Sequence, residues 1–124
     1  MSAEKPSCQL YLISPLDVSG TFPERLARAL DAGPVAAFQF RVKGVDQHEA
    51  ARLADAAHDV AFIVNDSIPL ARRLKADGVH LGQQDGTVRE AREALGREAQ
   101  IGVTCHASRH LAMEAGEMGA DYVA

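Results

Sequence analysis

The residues best suited to chemistry in this sequence stand in Gln39-Phe40-Arg41-Val42-Lys43, where polar and apolar side chains alternate. Alternation with period two is typical of a strand and predicts that Gln39, Arg41 and Lys43 share one face. An arginine fork beside the point charge of a lysine suits a phosphate or a diphosphate. The same pattern also fits a strand that leaves the core into a solvated basic turn.

Two further candidates are carboxylates that follow apolar runs. Asp66 comes directly after Phe62-Ile63-Val64-Asn65, and Asp85 follows His80-Leu81-Gly82-Gln83-Gln84. On neighbouring loops the two carboxylates can converge on one Mg²⁺, which takes one or two carboxylates together with phosphate oxygens of a substrate. Asn65 and Asp66 are equally good turn and helix-cap residues, so a purely local role is the alternative.

A third stretch, Gly102-Val103-Thr104-Cys105-His106, ends another apolar run. The Thr104 hydroxyl can donate to a phosphate oxygen, and His106 fits either a proton shuttle or a polar residue near a helix cap. Cys105 is interpreted as a small buried thiol, because no Cys-His-acid order supports a nucleophile. His80 lies inside a predicted strand and fits a hydrogen-bonded structural role as well as a catalytic one.

Short apolar runs alternate with alanine-rich helical segments along the whole chain, which predicts βαβ units and a parallel sheet with right-handed crossovers. The carboxyl ends of parallel strands form one edge, where α/β proteins bind ligands, so the candidate residues are expected to meet there. The predicted strands are 9–13, 36–42, 62–65, 78–81, 101–104 and 121–124, and the predicted helices are 21–31, 46–58, 67–74, 87–95 and 108–118.

The composition is typical of one globular domain, with 124 residues, a net charge of −4 and 47% apolar residues. No apolar run approaches the ~20 residues that span a bilayer, which argues against a membrane partner. Residues 1–8 lack the pattern of a secretory signal and are expected to be a flexible N-terminus. The acidic balance argues against nucleic acid as a partner, and two distant cysteines suit a cytoplasmic protein with reduced thiols.

In their order along the chain, these motifs resemble the thiamine phosphate synthase family (thiamine-phosphate pyrophosphorylases), whose members are TIM-barrel enzymes. The resemblance begins at Leu10 and is most specific in Ala76-Asp77-Gly78-Val79-His80-Leu81-Gly82-Gln83-Gln84-Asp85. It implies an α/β fold made of the parallel βα repeats of a TIM (β/α)₈ barrel. A closed barrel normally needs ~250 residues, so residues 1–124 are expected to form a single partial barrel domain. That domain would hold about five βα units and a sixth strand, as if truncated after the start of strand six.

The resemblance also implies a Mg²⁺-dependent transferase of thiamine biosynthesis. This enzyme joins two small-molecule substrates, hydroxymethylpyrimidine diphosphate and thiazole phosphate, with release of diphosphate. The matching positions are Gln39, Arg41, Lys43, Asn65 and Thr104 for the pyrimidine diphosphate, and Asp66 and Asp85 for Mg²⁺. Thr104 stands where the family usually has Ser. Val42 replaces the usual Glu, and we expect it to face the other side of the strand.

Two other functions stay open at this point. A thiazole tautomerase relative shares the fold and would use His106 as its proton shuttle, although that relative generally lacks the features at Asn65-Asp66 and Asp85. A non-catalytic fragment that binds an anion or a partner is the second. The family's thiazole phosphate contacts lie beyond Ala124, so we expect the lone chain to be inactive. Two open sheet edges also predict self-association.

Overall fold

The computed structural model describes residues 8–42, 46–57 and 59–124 as alternating strands and helices. The strands are β1 (Leu10–Ile13), β2 (Val35–Phe40), β3 (Ala61–Asn65), β4 (Gly78–Leu81), β5 (Gln100–Val103) and β6 (Tyr122–Val123). The helices are α1 (Phe22–Ala32), α2 (Gln47–Ala56), α3 (Ile68–Arg73), α4 (Val88–Leu95) and α5 (Arg109–Glu117). This order of elements is the predicted one. Apart from Cys8, the segment expected to be flexible lies outside the described residues, as does His58 at the predicted end of the second helix.

Polar caps set the starts of four helices close to the predicted positions. The hydroxyls of Ser67, Thr87 and Ser108 each accept the backbone N–H three residues later, and the Asp46 carboxylate accepts the N–H of His48. Caps of this kind satisfy N–H groups that have no partner inside the helix, and each typically contributes about 1 kcal/mol. No helix in the described part of the chain is both long and apolar enough to cross a membrane.

The core lies between the sheet and the helices. Alternate positions of the strands point outward into this layer, and the strand residues in it are Phe38, Phe40, Phe62, Val64, Val79, Leu81, Ile101 and Val103. Helix residues such as Leu26, Leu53 and Ala91 pack against them. The intervening strand positions point to the opposite face of the sheet. Several of them are small or polar, which leaves that face free to form a cavity.

Two aspartates hydrogen-bond the amino ends of β4 and β6 to the neighbouring strands. Asp77 donates its N–H to the Phe62 carbonyl at 2.9 Å, and its Oδ2 accepts the Phe62 N–H at 2.7 Å. Asp121 makes the same two bonds with Ile101, both at 2.8 Å. The Arg92 guanidinium also binds Asp121 Oδ2 at 3.2 Å. These paired bonds fix β4 against β3 and β6 against β5.

The sheet is strongly curved. All six strands are parallel to their neighbours and follow chain order from β1 to β6. Neighbouring strands lie about 4.8 Å apart, so the first and sixth strands of a flat sheet would be separated by about 24 Å. Nevertheless, the hydroxyls of Tyr11 in β1 and Tyr122 in β6 lie 2.6 Å apart. The fold is therefore an α/β fold whose parallel sheet curls as part of a barrel, with the helices outside.

Candidate functional site

A cavity of about 620 Å³ lies inside the curve of the sheet, at the carboxyl ends of the strands. Its size falls in the range of small-molecule sites. The polar residues that line it include Gln39, Arg41, Asn65, Asp66, His80 and Thr104, and the apolar ones include Ile13, Leu16 and Val42. The structure thus brings four of the predicted substrate-binding residues, and one of the two predicted metal ligands, to a single cavity.

Ser14 sets the path of the chain beyond β2. The strand ends at Phe40, before the predicted end at residue 42. Ser14 is buried, and its hydroxyl accepts the Arg41 N–H at 2.8 Å. Regular pairing stops here, and the half-buried Val42 packs against the hydrophobic core, as expected for the other side of the strand, while it also borders the cavity beside Arg41. Lys43, the third polar residue of the predicted alternation, lies outside the described residues.

The cavity combines a cation with an uncharged imidazole. His80 is 7% exposed, and this burial lowers the pKa of its ring below the ordinary value of 6.5. The positive charge of Arg41 lowers the His80 pKa further, because a second positive charge nearby is unfavourable. Near neutral pH, the cationic side chain in the described lining is therefore that of Arg41.

Asp66 occupies a tight turn directly after β3. Its φ is +71°, the Ser67 N–H donates to the Asn65 carbonyl at 2.9 Å, and the Asp66 N–H donates to the His80 carbonyl at 2.8 Å. A bond from residue i+2 to residue i around a positive φ is the mark of a γ-turn, which is strained for a residue other than glycine. Ser67 caps α3, so the turn leaves Asp66 on the cavity wall rather than in the cap.

Asp85 lies in the loop after β4 and is not among the residues that line the cavity. Its Oδ2 accepts the Gly82 N–H at 2.9 Å, and its own N–H donates to the Gly82 carbonyl at 3.3 Å. The described residues contain no group of three or more His, Cys, Asp or Glu side chains placed so that they could hold a metal ion by themselves. Asp66 and Asp85 nevertheless offer the hard oxygen donors that Mg²⁺ prefers, and one or two carboxylates suffice when phosphate oxygens complete the shell.

His106 and Cys105 follow β5 but stand apart from the cavity lining. His106 is exposed and has a φ of +53°. Cys105 is 2% exposed, and its thiol lies 3.6 Å from the Val103 carbonyl, which fits the interpretation as a small buried thiol. This position of His106 gives no support to the tautomerase alternative.

Five side chains in the cavity form a continuous series of hydrogen bonds, two of them from tyrosines that the sequence analysis did not single out. The Gln39 amide donates to the Tyr11 hydroxyl at 3.0 Å, and the Tyr11 and Tyr122 hydroxyls are 2.6 Å apart. His80 contacts the Tyr122 hydroxyl through Nδ1 at 3.1 Å and the Thr104 hydroxyl through Nε2 at 2.7 Å. Burial raises the pKa of Tyr122, so this hydroxyl keeps its proton.

Gly102 makes the contact between β6 and β4 possible. It pairs in register with His80 on one side and with Tyr122 on the other. A Cβ on Gly102 would overlap the Tyr122 ring, which crosses β5 at this point to reach His80. Glycine inside a strand often marks such a close approach. Gly102 is therefore a sequence signal that could have indicated the close approach of the Tyr122 ring to β5.

Together, the fold and the site define a class of protein: a barrel-like α/β protein with a ligand-sized cavity at the carboxyl ends of its strands. The lining offers a guanidinium, a carboxylate, amides and a hydroxyl within one curved sheet. In barrels of this type, the carboxyl ends of the strands are where active sites are built.

Comparison with known proteins identifies the family. The family model described as thiamine monophosphate synthase (TMP-TENI) matches residues 10–124, and the chain belongs to this family. The chain is similar to a thiamine-phosphate synthase of Erythrobacter litoralis (79% identical, covering 94% of this chain and 58% of the relative). It is also similar to one of Rhodospirillum centenum (52% identical, covering 94% of this chain and 60% of the relative).

A solved structure supports the same relationship. The thiamine phosphate pyrophosphorylase from Pyrococcus furiosus matches with a TM-score of 0.77 and 30% sequence identity, over 93% of this chain and 58% of that one. The resemblance inferred from the motifs is therefore confirmed. The chain spans about three fifths of the length of the relatives that it matches.

Proposed function

We propose that the chain carries the pyrimidine diphosphate half of a thiamine phosphate synthase site. The whole protein would be a transferase that joins hydroxymethylpyrimidine diphosphate to thiazole phosphate and releases diphosphate. The observation that carries this proposal is the single cavity that collects Gln39, Arg41, Asn65, Asp66 and Thr104. The relatives, which are thiamine-phosphate synthases, support the choice of reaction.

Arg41 is the principal anchor for the diphosphate in this proposal. A guanidinium binds two oxygens of one phosphate at once and stays charged at any physiological pH. It also stabilises the negative charge that grows on diphosphate as the leaving group departs. Lys43, assigned from the sequence pattern, adds a second cation. Thr104 contributes a hydroxyl donor, and the amides of Gln39 and Asn65 orient the pyrimidine diphosphate.

The proposed cofactor is Mg²⁺, held by Asp66 and Asp85. Asp66 stands on the cavity wall, and Asp85 keeps Oδ2 on the Gly82 N–H while its Oδ1 accepts no hydrogen bond from the described residues. When bound, Mg²⁺ would neutralise diphosphate charge and make diphosphate a better leaving group. Oxygen donors on neighbouring βα loops suit this ion.

An apolar part of the cavity wall completes the proposed site. Ile13, Leu16 and Val42 line the cavity beside the polar groups. The reaction implied by the resemblance forms a pyrimidine carbocation, which water would capture. Apolar side chains close to the reacting carbon reduce the water available for that side reaction.

Self-association and a cytoplasmic location are further proposals. On β1 and β6, the edge strands of the described sheet, Leu10, Ile13 and Val123 are between 45% and 57% exposed. Open strand edges with apolar side chains favour pairing with another chain. In sedimentation velocity, we expect the sedimentation coefficient of the 124-residue chain to increase with concentration, whereas a folded, strictly monomeric chain would contradict this proposal.

The proposed cytoplasmic location rests on the cysteines. Cys8 and Cys105, both free, suit a reducing compartment.

Calorimetric titration with inorganic pyrophosphate in the presence of Mg²⁺ tests the anion site. We expect Arg41→Gln to weaken binding by about tenfold or more, because a hydrogen-bonded charge pair is lost. Arg28→Gln is the matched control, since Arg28 is an exposed arginine of α1 outside the cavity lining. Equal affinities for wild type and Arg41→Gln would contradict the proposal.

A further inference from the structure

We propose that Tyr11, Tyr122 and His80 are positioning residues that make the Thr104 hydroxyl a hydrogen-bond donor toward the bound anion. The inference rests on the proposed function, in which Thr104 contacts the diphosphate. It concerns what fixes the direction of that contact. The inference is argued from the series of hydrogen bonds that links Gln39 to Thr104 through Tyr11, Tyr122 and His80 inside the cavity.

The direction of the series begins at Gln39. Its side-chain nitrogen has only N–H donors, so the Tyr11 oxygen accepts at this end. Either hydroxyl of the Tyr11–Tyr122 pair, 2.6 Å apart, can be the donor; in the direction we propose, Tyr11 donates to the Tyr122 oxygen, because the Tyr11 oxygen already accepts from Gln39. Because the Tyr122 oxygen already accepts that proton, its own O–H is available to the neighbour on its other side, His80 Nδ1 at 3.1 Å.

His80 transmits this direction to Thr104. A neutral imidazole carries one donor nitrogen and one acceptor nitrogen. With Nδ1 accepting from Tyr122, the proton sits on Nε2 and is donated to the Thr104 oxygen at 2.7 Å. The Thr104 proton is then free to point into the cavity. With the opposite direction, Thr104 would donate to His80 and would present only lone pairs to an anion.

Packing holds the series in place. Gln39 and His80 are 4% and 7% exposed, so water competes little for their hydrogen bonds. The Tyr11 and Tyr122 rings meet edge to face with centroids 5.6 Å apart, and the His80 and Tyr122 rings are 5.5 Å apart. Gly102 leaves the space that the Tyr122 ring occupies. The donor direction is therefore set before a ligand binds. Hydrogen-bond donors that are fixed in advance in this way stabilise the negative charge of the ligand.

The tautomer of His80 is a direct readout in the wild-type chain. Long-range proton–nitrogen NMR of the ¹⁵N-labelled chain distinguishes the two neutral forms, and His80→Gln assigns the signal by its loss. We expect the form protonated at Nε2. The form protonated at Nδ1 would overturn the proposal, whatever the affinity of the site.

A double-mutant cycle with inorganic pyrophosphate and Mg²⁺ tests the coupling to the ligand. We expect Thr104→Val to weaken binding about tenfold, as for one lost hydrogen bond to a charged group. Tyr122→Phe should weaken binding several-fold in the wild type and change the His80 tautomer population. In the Thr104→Val background, it should have no further effect, because it acts through Thr104. Circular dichroism verifies that each variant is folded, and His110→Gln on exposed α5 is the control.

The outcomes separate the two proposals. If Thr104→Val binds pyrophosphate as well as the wild type, the proposed ligand contact of Thr104 fails. If Thr104→Val weakens binding but Tyr122→Phe changes neither affinity nor tautomer, the contact stands and the positioning role is wrong. An equal loss from Tyr122→Phe in both backgrounds also contradicts the positioning role, since it indicates a general structural effect.

Discussion

The hydroxyls of Tyr11 and Tyr122 lie 2.6 Å apart, although these residues belong to the first and the last strand of the sheet. Such a contact requires the curvature that also creates the cavity. One tyrosine reaches Gln39 and the other reaches His80, so the pair joins both sides of the cavity through hydrogen bonds. The fold and the candidate site therefore depend on the same contact.

The close packing at Gly102 predicts a large effect of one added methyl group. We expect Gly102→Ala to destabilise the chain by about 1–3 kcal/mol, because the new Cβ would overlap the Tyr122 ring. Gly116→Ala in α5 is the control: its Cβ would meet no atom within 4 Å, and alanine favours a helix by up to about 1 kcal/mol. Urea denaturation measures both variants. A neutral Gly102→Ala would contradict the described position of the ring.

The strained turn at Asp66 predicts that two substitutions of this residue differ in stability but weaken binding alike. Asp66→Gly and Asp66→Ala both remove the carboxylate, but only glycine adopts a φ of +71° without strain. We expect Asp66→Gly to be more stable than Asp66→Ala by about 1 kcal/mol, and both to weaken Mg²⁺-dependent pyrophosphate binding by about tenfold or more. Thermal unfolding and calorimetry measure the two effects. Equal stability of the pair would show that the turn is not strained.

The hydrogen bonds of Asp121, next to β6, predict that removing its carboxylate lowers the hydrogen-exchange protection of the Ile101 amide. Asp121→Ala leaves the Ile101 N–H and the Arg92 guanidinium without their carboxylate partner, and an unpaired buried group costs about 1–3 kcal/mol. We expect faster hydrogen exchange at the Ile101 amide and lower global stability. Asp31→Ala, at an exposed position of α1, should leave both unchanged. Unaltered exchange at Ile101 in Asp121→Ala would contradict the role of Asp121 in fixing β6 against β5.

The lowered pKa of His80 predicts a pH dependence of stability. Below about pH 6.5, His80 takes up a proton in the unfolded chain but resists it in the folded chain, because of burial and the nearby Arg41 charge. The unfolded state then binds more protons, so the free energy of unfolding decreases as the pH falls below this value. Urea denaturation between pH 8 and 5.5 measures the slope. We expect His80→Gln to flatten it, and a wild-type stability that rises on acidification would contradict the burial of His80.

The order of strands and helices could be predicted because each element carries its own local pattern. Gly78–Leu81 is the predicted strand residue for residue, and Ser67, Thr87 and Ser108 cap helices at the predicted starts. The end of β2 at Phe40 could not be predicted in this way. It is set where the hydroxyl of Ser14, distant in sequence, binds the Arg41 N–H.

The candidate site also has parts that could be predicted from the sequence and parts that could not. The meeting of Gln39, Asn65 and Thr104 follows from a general property of parallel sheets, whose strands all end at one edge. The contact between Tyr11 and Tyr122 depends on the curvature of all six strands, which no short stretch of sequence encodes. The roles proposed for Lys43 and for the pairing of Asp66 with Asp85 stay predictions.

The most direct test of the central claim, that the cavity is a Mg²⁺-diphosphate site, is calorimetric titration of the chain with inorganic pyrophosphate. The titration is carried out with saturating Mg²⁺ and again with a chelator, on wild type, Asp66→Ala and Asp85→Ala. We predict that wild type binds pyrophosphate only with Mg²⁺ and that each substitution weakens this binding by about tenfold or more. Equal binding by all three chains, or binding by wild type that does not depend on Mg²⁺, would contradict the claim.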